Sequence, residues 1–159
     1  MYNKEYFMKE ALKEAKKAYE KLEVPVGVVI VKEDKIIARS YNQKESKNSP
    51  IKHAEIIAIE KACKKLDNWR LNDCDMYITL EPCSMCAGAI INSRIRKIYI
   101  GAMENNSGAC GSKLNLLQDY NFETKVEIET GVLAEECQNI LKSFFKEIRK
   151  KKAGNRGEN

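Results

Sequence analysis

Four residues of this sequence have the types and the spacing needed to hold a metal ion and to move a proton. His53 and Glu55 stand two positions apart, and Cys83 and Cys86 form a Cys-x-x-Cys pair further along the chain. Imidazole nitrogen and thiolate sulfur are ligands that zinc takes in tetrahedral geometry. Two cysteines three positions apart on a helix point to the same face, so Cys83 and Cys86 can bind one ion, with His53 as the third ligand. The pattern therefore predicts a zinc site.

The number of protein ligands indicates what this zinc would do. Three protein ligands leave a fourth position for water, which is typical of a catalytic zinc and not of a structural one. Glu55 is poorly placed to share the metal from the same helix face as His53, but it can reach the water, take its proton and pass it to a substrate. We therefore expect Glu55 to be the catalytic proton shuttle.

The cysteine pair taken alone is compatible with two further kinds of site. A lone Cys-x-x-Cys can be a thioredoxin-like redox pair, although that role requires neither His53 nor Glu55. A structural zinc would need a fourth protein ligand, and because His53 is the only histidine, that ligand would have to be a cysteine. The remaining cysteines form no second pair of this kind and are interpreted as small buried hydrophobic residues; they are Cys63, Cys74, Cys110 and Cys137.

The elements that must position these residues follow from the hydrophobic pattern. Helical spacing of apolar residues alternates with short apolar runs that are typical of strands. Pro50 and Pro82 favour helix starts near His53 and Cys83, so the ligands should lie at helix N-termini, where thiolates are stabilised. The predicted helices cover 2–22, 53–66, a segment from Pro82 and a segment from Ala134 past Ile148; the predicted strands are 26–31, 36–41, 76–80, 97–100 and 126–129. This order predicts an α/β fold, and the hairpin of the first two strands makes its sheet mixed.

The overall composition fits one soluble domain. The chain has 159 residues, of which 43% are hydrophobic and 32% charged, so it can bury a core. No apolar run approaches the length that spans a membrane, and residues 1–10 lack the apolar core of a signal peptide. We expect a cytoplasmic protein with reduced cysteines and no membrane partner, with a single domain over residues 1–152 and a frayed polar tail over 153–159. The net charge of +5 is compatible with a nucleic-acid partner but does not require one.

Several stretches of the chain resemble one enzyme family. His53-Ala54-Glu55 and Pro82-Cys83-x-x-Cys86 match the H-x-E…P-C-x-x-C signature of the zinc-dependent nucleobase deaminases, in the cytidine and deoxycytidylate deaminase superfamily. Within that superfamily the sequence is similar to the bacterial tRNA-specific adenosine deaminases over nearly the whole chain. The further matching stretches are 23–27, 79–90, 108–112, 131–133 and 143–145.

The resemblance implies a structure, a cofactor and a reaction. The implied fold is a three-layer α/β/α arrangement of cytidine-deaminase type, with a mixed five-stranded sheet between helices, assembled as a homodimer. One Zn²⁺ per chain would serve the hydrolytic conversion of adenosine to inosine at the wobble position of a tRNA anticodon, that of an arginine tRNA. The partner is therefore a tRNA anticodon stem-loop.

The same resemblance implies which residues contact the RNA. Asn42 would bind the flipped base, and the backbone of Ala54 would line the base pocket. The family has an aspartate after the fourth strand and a lysine two positions on, where this chain has Glu104 and Asn106; Glu104 is long enough to reach the RNA backbone or ribose. The aromatic and basic last helix would grip the anticodon loop through Phe144, Phe145, Lys146 and Arg149.

More ordinary roles are open for these residues. Asn42 follows a strand, where asparagine also forms turns. Phe144 and Phe145 lie on an amphipathic helix, so at least one of them should be buried. The basic run of that helix is by default a solvated face; it comprises Lys142, Lys146, Arg149, Lys150, Lys151 and Lys152.

Two different functions also remain open. The same zinc site would serve a free nucleobase or nucleotide deaminase acting on guanine, cytosine or dCMP, against which the basic last helix argues. A non-catalytic RNA-binding module could keep zinc for stability alone, but such a module has no need of Glu55 as a proton shuttle.

Overall fold

Helices and strands alternate in the predicted order, with one short helix added, in a computed structural model that describes residues 2–119 and 125–157. The helices of this part are α1 (Lys4–Glu20), α2 (Ala54–Leu66), α3 (Ser84–Asn92), α4 (Leu116–Asp119) and α5 (Ala134–Gly157). The strands are β1 (Gly27–Lys32), β2 (Lys35–Tyr41), β3 (Cys74–Leu80), β4 (Lys97–Ala102) and β5 (Glu127–Thr130).

The strands of the described residues form one mixed sheet in the order β2-β1-β3-β4-β5. β1 is antiparallel to both β2 and β3, whereas β3, β4 and β5 are parallel to one another. Val28 near the start of β1 pairs with Ile78 near the end of β3, so the start of β1 and the ends of β3 and β4 share one edge of the sheet. Ligands of open α/β sheets bind at the carboxyl ends of the strands, which makes this edge the place to look for a site.

Side chains of β1 point alternately into two cores, one on each face of the sheet. Val28 and Ile30 belong to the core that α2 and α3 cover, and Val29 and Val31 belong to the core that α1 and α5 cover. This arrangement confirms the predicted three-layer α/β/α fold with a mixed sheet.

The packing of α1 on the sheet depends on a glycine. A Cβ atom added to Gly27 would lie 1.9 Å from the carbonyl oxygen of Ala11 and 2.5 Å from the backbone nitrogen of Ala15. Only glycine lets helix backbone and strand backbone approach this closely. The close approach brings the end of α1 and the loop after it towards the edge of the sheet that carries the site.

Most helix ends lie within two residues of the predicted ones; the differences with a structural consequence concern the start of α3, the additional helix α4 and the end of α5. α3 begins at Ser84, so Pro82 precedes the helix, and Cys83 is its N-cap residue with extended backbone. α4 is only four residues long, which is too short for a helical hydrophobic pattern to be recognised. α5 continues to Gly157, although the sequence predicts a frayed tail from residue 153; each added residue of an existing helix gains a hydrogen bond without a new nucleation cost, which offsets the low helix propensity of Gly154 and Asn155.

The predicted polar tail and the predicted single domain are tested only in part by the structure. Residues 158–159 of the predicted tail lie outside the described residues, and the single domain over 1–152 stays a prediction. Within the described residues, no helix is long and apolar enough to cross a bilayer.

Candidate metal centre and substrate pocket

The three predicted metal ligands converge at the N-termini of α2 and α3. His53 is the N-cap residue of α2, Cys83 is the N-cap residue of α3, and Cys86 lies in the first turn of α3. The Nδ1 atom of His53 is 3.7 Å from the sulfur of Cys83 and 3.5 Å from the sulfur of Cys86. Zinc–sulfur and zinc–nitrogen bonds of about 2.3 and 2.0 Å at a tetrahedral angle would separate such atoms by about 3.5 Å. The donor atoms therefore fit one tetrahedral zinc ion.

The way in which the two cysteines converge differs from the prediction. They do not share one face of a helix, since Cys83 precedes α3 and has extended backbone. The N-cap conformation of Cys83 turns its sulfur towards Cys86 and His53 instead. Among the described residues, these three form the one group of histidine, cysteine and acidic side chains with ligand atoms close enough to hold a metal.

The electrostatics of the cysteine pair favour a thiolate at Cys83. A hydrogen bond from Cys86, opposed by burial and helped by His53, lowers the pKa of Cys83 to about 3. The same hydrogen bond, together with burial, raises the pKa of Cys86, because Cys86 holds the proton that the pair shares. A metal ion that binds both sulfurs would displace this proton.

Glu55 lies in the first turn of α2, beside the metal ligands. Its side chain is 4% exposed, and burial raises the pKa of its carboxyl group. It forms hydrogen bonds with its own backbone N–H and with Cys86. A raised pKa lets a carboxyl group hold a proton more readily, so Glu55 can both accept and donate one, as a proton shuttle must.

One pocket of about 180 Å³ joins these residues to the predicted base-binding residues. Its walls combine apolar side chains from the segment before β1 and the end of β3 with polar side chains from the loops at the same edge of the sheet. The lining residues are Val24, Val26, Asn42, Lys44, His53, Ala54, Glu55, Leu80, Glu81, Cys83, Glu104 and Ser107. The structure thus brings Asn42, Ala54 and Glu104 together with the metal ligands.

Asn42 forms a turn and lines the pocket at the same time. Its side chain is 8% exposed; Oδ1 accepts a hydrogen bond from the backbone N–H of Lys44 at 3.2 Å, and Nδ2 lies 3.4 Å from the carbonyl oxygen of Val24. Next to it, the carbonyl oxygen of Ala54 accepts a hydrogen bond from the Ser40 hydroxyl. These contacts fix the backbone of this wall.

The loop after β4 supplies the opposite wall. The carboxylate of Glu104 accepts a hydrogen bond from the backbone N–H of Asn106 at 2.9 Å, which closes a tight turn inside the loop. Ser107 lines the pocket beside it. Glu104 therefore lines the pocket while it also shapes its own loop, and its contact with the RNA backbone or ribose stays a prediction.

Two buried carboxylates that hold the pocket loops were not predicted as site residues. Glu81 accepts hydrogen bonds from the loop after β4, and burial would raise its pKa, but these hydrogen bonds lower it. Glu23 is fully buried and accepts hydrogen bonds from the backbone N–H groups of Glu45 and Ser46, at 2.8 and 2.6 Å, and from the Ser46 hydroxyl. The sequence does contain a signal for Glu81. It is an acid that interrupts an apolar run beside a proline, in Leu80-Glu81-Pro82.

The residues predicted on α5 do not line the pocket. Phe144 is 4% exposed and packs edge-on against the ring of Tyr19 at 5.6 Å, so it is the buried ring of the pair, and its contact with the anticodon loop stays a prediction. The ring is buried because it fills the contact between α1 and α5. Phe145 is 43% exposed, and Lys146 and Arg149 are exposed, so these three are free to contact a large substrate.

The pocket, the zinc-binding side chains and the mixed sheet agree with known proteins. The chain belongs to the cytidine and deoxycytidylate deaminase family, whose zinc-binding region matches residues 1–102. The class of enzyme predicted from the sequence, a zinc-dependent hydrolytic deaminase, is thereby confirmed.

Relatives within the family agree with the resemblance to bacterial tRNA-specific adenosine deaminases. The chain is 50% identical to the tRNA-specific adenosine deaminase of Bacillus subtilis, over 96% of this chain and 94% of the relative. A solved structure from studies of A-to-I editing by tRNA:A34 deaminases at the wobble position of transfer RNA has a TM-score of 0.83 and 40% identity, covering 86% of this chain and 99% of that one. A deaminase of a different substrate is similar as well: the solved structure of the guanine deaminase of Bacillus subtilis has a TM-score of 0.62 and 33% identity, covering 77% of this chain and 88% of that one.

Proposed function

We propose that this protein deaminates adenosine to inosine at the wobble position of a tRNA anticodon, that of an arginine tRNA. The observation that carries the proposal is the convergence of His53, Cys83 and Cys86 at one wall of the pocket that Glu55 and Asn42 also line. The similarity to a tRNA-specific adenosine deaminase over nearly the full length of both chains supports the choice of substrate.

In the proposed reaction, His53, Cys83 and Cys86 hold one Zn²⁺ per chain. When bound, zinc supplies Lewis acidity towards water and towards the negative charge that develops on the substrate. The carboxylate of Glu55 takes a proton from the attacking water and delivers it to ring nitrogen N1. Water oxygen adds to C6, Glu55 carries a second proton to the amino group, and the C6–N bond breaks to leave inosine and ammonia.

The walls of the pocket have separate tasks in this proposal. Val24, Val26 and Leu80 offer apolar surface to the faces of a flipped base and keep bulk water away from it. Asn42 and the backbone at Ala54 present hydrogen-bonding groups to the edge of the base. Glu104 contacts the ribose or the RNA backbone at the rim.

The exposed part of α5 is the proposed surface for the rest of the anticodon loop. Lys146 and Arg149 would neutralise phosphates, and the exposed ring of Phe145 would stack on an unpaired base. Such contacts are needed because extruding a base from its stack costs free energy that a small pocket alone does not return.

A free guanine deaminase is the second candidate, favoured by the similarity to the guanine deaminase of Bacillus subtilis. The decisive experiment incubates the purified protein with an arginine tRNA transcript, with free adenosine and with free guanine. Inosine at the wobble position with little turnover of the free compounds supports the proposal. Efficient deamination of guanine with no change in the tRNA would contradict it.

We further propose that the enzyme acts in the cytoplasm as a homodimer. The proposal follows from the similarity to the tRNA-specific deaminases. Sedimentation at micromolar concentration should give about twice the chain mass of 18.2 kDa. A mass equal to that of one chain would refute the dimer.

A further inference from the structure

Three glutamates line the pocket, and one of them, Glu81, has its carboxylate engaged entirely by a single loop. Its Oε1 atom accepts hydrogen bonds from the backbone N–H of Glu104 at 3.0 Å and from the Ser112 hydroxyl. Its Oε2 atom accepts hydrogen bonds from the backbone N–H groups of Cys110 and Ser112, each at 3.0 Å. An ionised carboxylate offers about four acceptor positions, so these bonds fill the side chain and leave it no capacity for proton transfer.

The loop 103–112 is folded around this carboxylate. The backbone N–H of Gly108 donates to the carbonyl oxygen of Glu104 at 2.9 Å, and that of Ala109 donates to the carbonyl oxygen of Pro82 at 2.9 Å. A Cβ atom added to Gly108 would lie 2.3 Å from the Cδ atom of Glu81, so the loop approaches the carboxylate as closely as a glycine backbone allows. Glu81 is therefore the main side-chain anchor of the loop, and the hydrogen bond from Ala109 to Pro82 adds a main-chain anchor next to it.

The same loop supplies one wall of the pocket, through Glu104 and Ser107. The reacting side of the pocket has a different support, because His53 and Cys83 are held by the N-termini of α2 and α3. Hydrogen bonds to Glu81 thus determine where the substrate-facing wall lies, while the helices determine where the metal ligands lie.

We propose that Glu81 is a positioning residue that holds the loop 103–112 in place for substrate binding, and that it governs how tightly tRNA binds and not how fast the bound base reacts. The inference rests on the proposed function for its substrate. Its structural part, the anchoring of the loop, is open to a test that needs no substrate.

The test replaces Glu81 with glutamine, which keeps the shape but turns an –NH₂ donor towards N–H donors. In Glu81→Gln, KM for the tRNA should rise by about 10- to 100-fold while kcat stays within about threefold, because a displaced wall weakens binding of the substrate and of its transition state alike. Zinc content should remain that of the wild type. Hydrogen exchange of the Glu104, Cys110 and Ser112 amides should become faster.

Glu127→Gln is the matched control. Glu127 is an exposed acid at the start of β5, and β4 and β5 begin at the end of the sheet opposite the pocket, so KM and the exchange of the three amides should not change. A milder variant, Ser112→Ala, removes one hydroxyl and keeps the three main-chain hydrogen bonds to Glu81. It should raise KM less than Glu81→Gln, and it decides the question if Glu81→Gln does not fold.

Failure of this inference and failure of the proposed function give different results. A wild-type protein that leaves tRNA unchanged overturns the proposed function, and amide exchange then tests the anchoring by itself. Unchanged protection of the three amides in folded Glu81→Gln, or in Ser112→Ala where Glu81→Gln does not fold, overturns the positioning role. A fall in kcat at unchanged KM, or a loss of zinc, also overturns it, since either would assign Glu81 to the chemistry or to the metal site.

Discussion

The Nδ1 atom of His53 lies 3.5 Å from the sulfur of Cys86, although 33 residues separate the two positions in the chain. The contact exists because α2 and α3 pack side by side on one face of the sheet and both begin at the edge that carries the pocket. The fold thus delivers a histidine and two cysteines to one point from two helix N-termini, where partial positive charge stabilises thiolates.

Loss of any one of these ligands should release the metal. In His53→Ala, Cys83→Ala and Cys86→Ala, a tetrahedral site is left with two protein ligands, so we expect loss of both zinc and deaminase activity. Elemental analysis of the purified variants gives the zinc content directly. Cys63→Ala is the control, because Cys63 lies on α2 outside the cluster and should keep one zinc per chain. A full zinc content in any of the three ligand variants would remove that residue from the site.

Replacement of Glu55 should separate chemistry from metal binding. Glu55→Gln keeps the size of the side chain but cannot carry protons, so zinc should stay bound while kcat falls. General acid–base catalysis contributes about 100- to 10,000-fold for one transfer, and Glu55 serves more than one, so we expect a loss at or above the upper figure. Single-turnover measurement with saturating enzyme tests this. Activity within tenfold of the wild type would refute the proton-shuttle role.

The convergence of the candidate metal ligands was predictable from the sequence because zinc ligation is confined to few residue types. Zinc ligation restricts the choice to His53 and a small number of cysteines, and the spacing of Cys83 and Cys86 singles out one pair. The detail that failed is local: Cys83 precedes α3, because the backbone before Ser84 is extended, so the sulfurs converge through an N-cap and not along one helix face.

The loops of the pocket were not predictable in the same way. Glu23 and Glu81 act through main-chain N–H groups of distant segments, and a main-chain donor has no residue type that a sequence pattern could reveal. Phe144 and Phe145 show a similar limit. Two neighbouring phenylalanines on one helix cannot be told apart by residue type. Only the packing of Tyr19 against Phe144 decides which ring is buried.

The strands and the long helices were predicted because each type of element has its own hydrophobic pattern, helical spacing for the helices and short apolar runs for the strands. β1 reads as a continuous apolar run, and the structure shows why, since Val28 and Val29 face two different cores. α4 has no such period and was missed. The end of α5 was placed too early because basic polar residues are typical of frayed tails and of exposed helices alike.

The buried carboxylate of Glu23 should make a measurable contribution to stability. Glu23→Gln leaves the donors of Glu45 and Ser46 without their charged acceptor, so the free energy of unfolding at pH 7 should fall by about 2 to 3 kcal/mol. Urea unfolding followed by circular dichroism measures this loss. The exposed Glu127→Gln should change it by no more than about 0.5 kcal/mol.

The contribution of Glu23 should also depend on pH. Burial would raise its pKa, but hydrogen bonds from Ser46 and Glu45 hold that pKa below the ordinary value of 4.5. A carboxyl group with a lowered pKa in the folded state stabilises that state above its unfolded pKa and loses the effect as pH falls through its folded pKa. The difference between wild type and Glu23→Gln should therefore be constant above about pH 5.5 and shrink below pH 4.5. A difference that grows with acidity would contradict the lowered pKa.

The exposed cations of α5 give the sharpest test of an RNA surface. Lys146 and Arg149 are both exposed, so Lys146→Ala/Arg149→Ala should leave the fold and the zinc content unchanged. Each phosphate that a cation neutralises releases counterions, so removal of two contacts should weaken tRNA binding and reduce the slope of log Kd against log salt by about 1 to 2. Lys35→Ala/Lys125→Ala removes the same charge from exposed positions at the opposite end of the sheet and serves as the control.

Filter binding over a salt series distinguishes the two double variants. If both lower the slope equally, the effect is that of net charge, and α5 is only a solvated helix. If the α5 variant alone lowers it, and deamination of the tRNA falls in parallel at physiological salt, the exposed half of the helix binds the phosphates of the substrate.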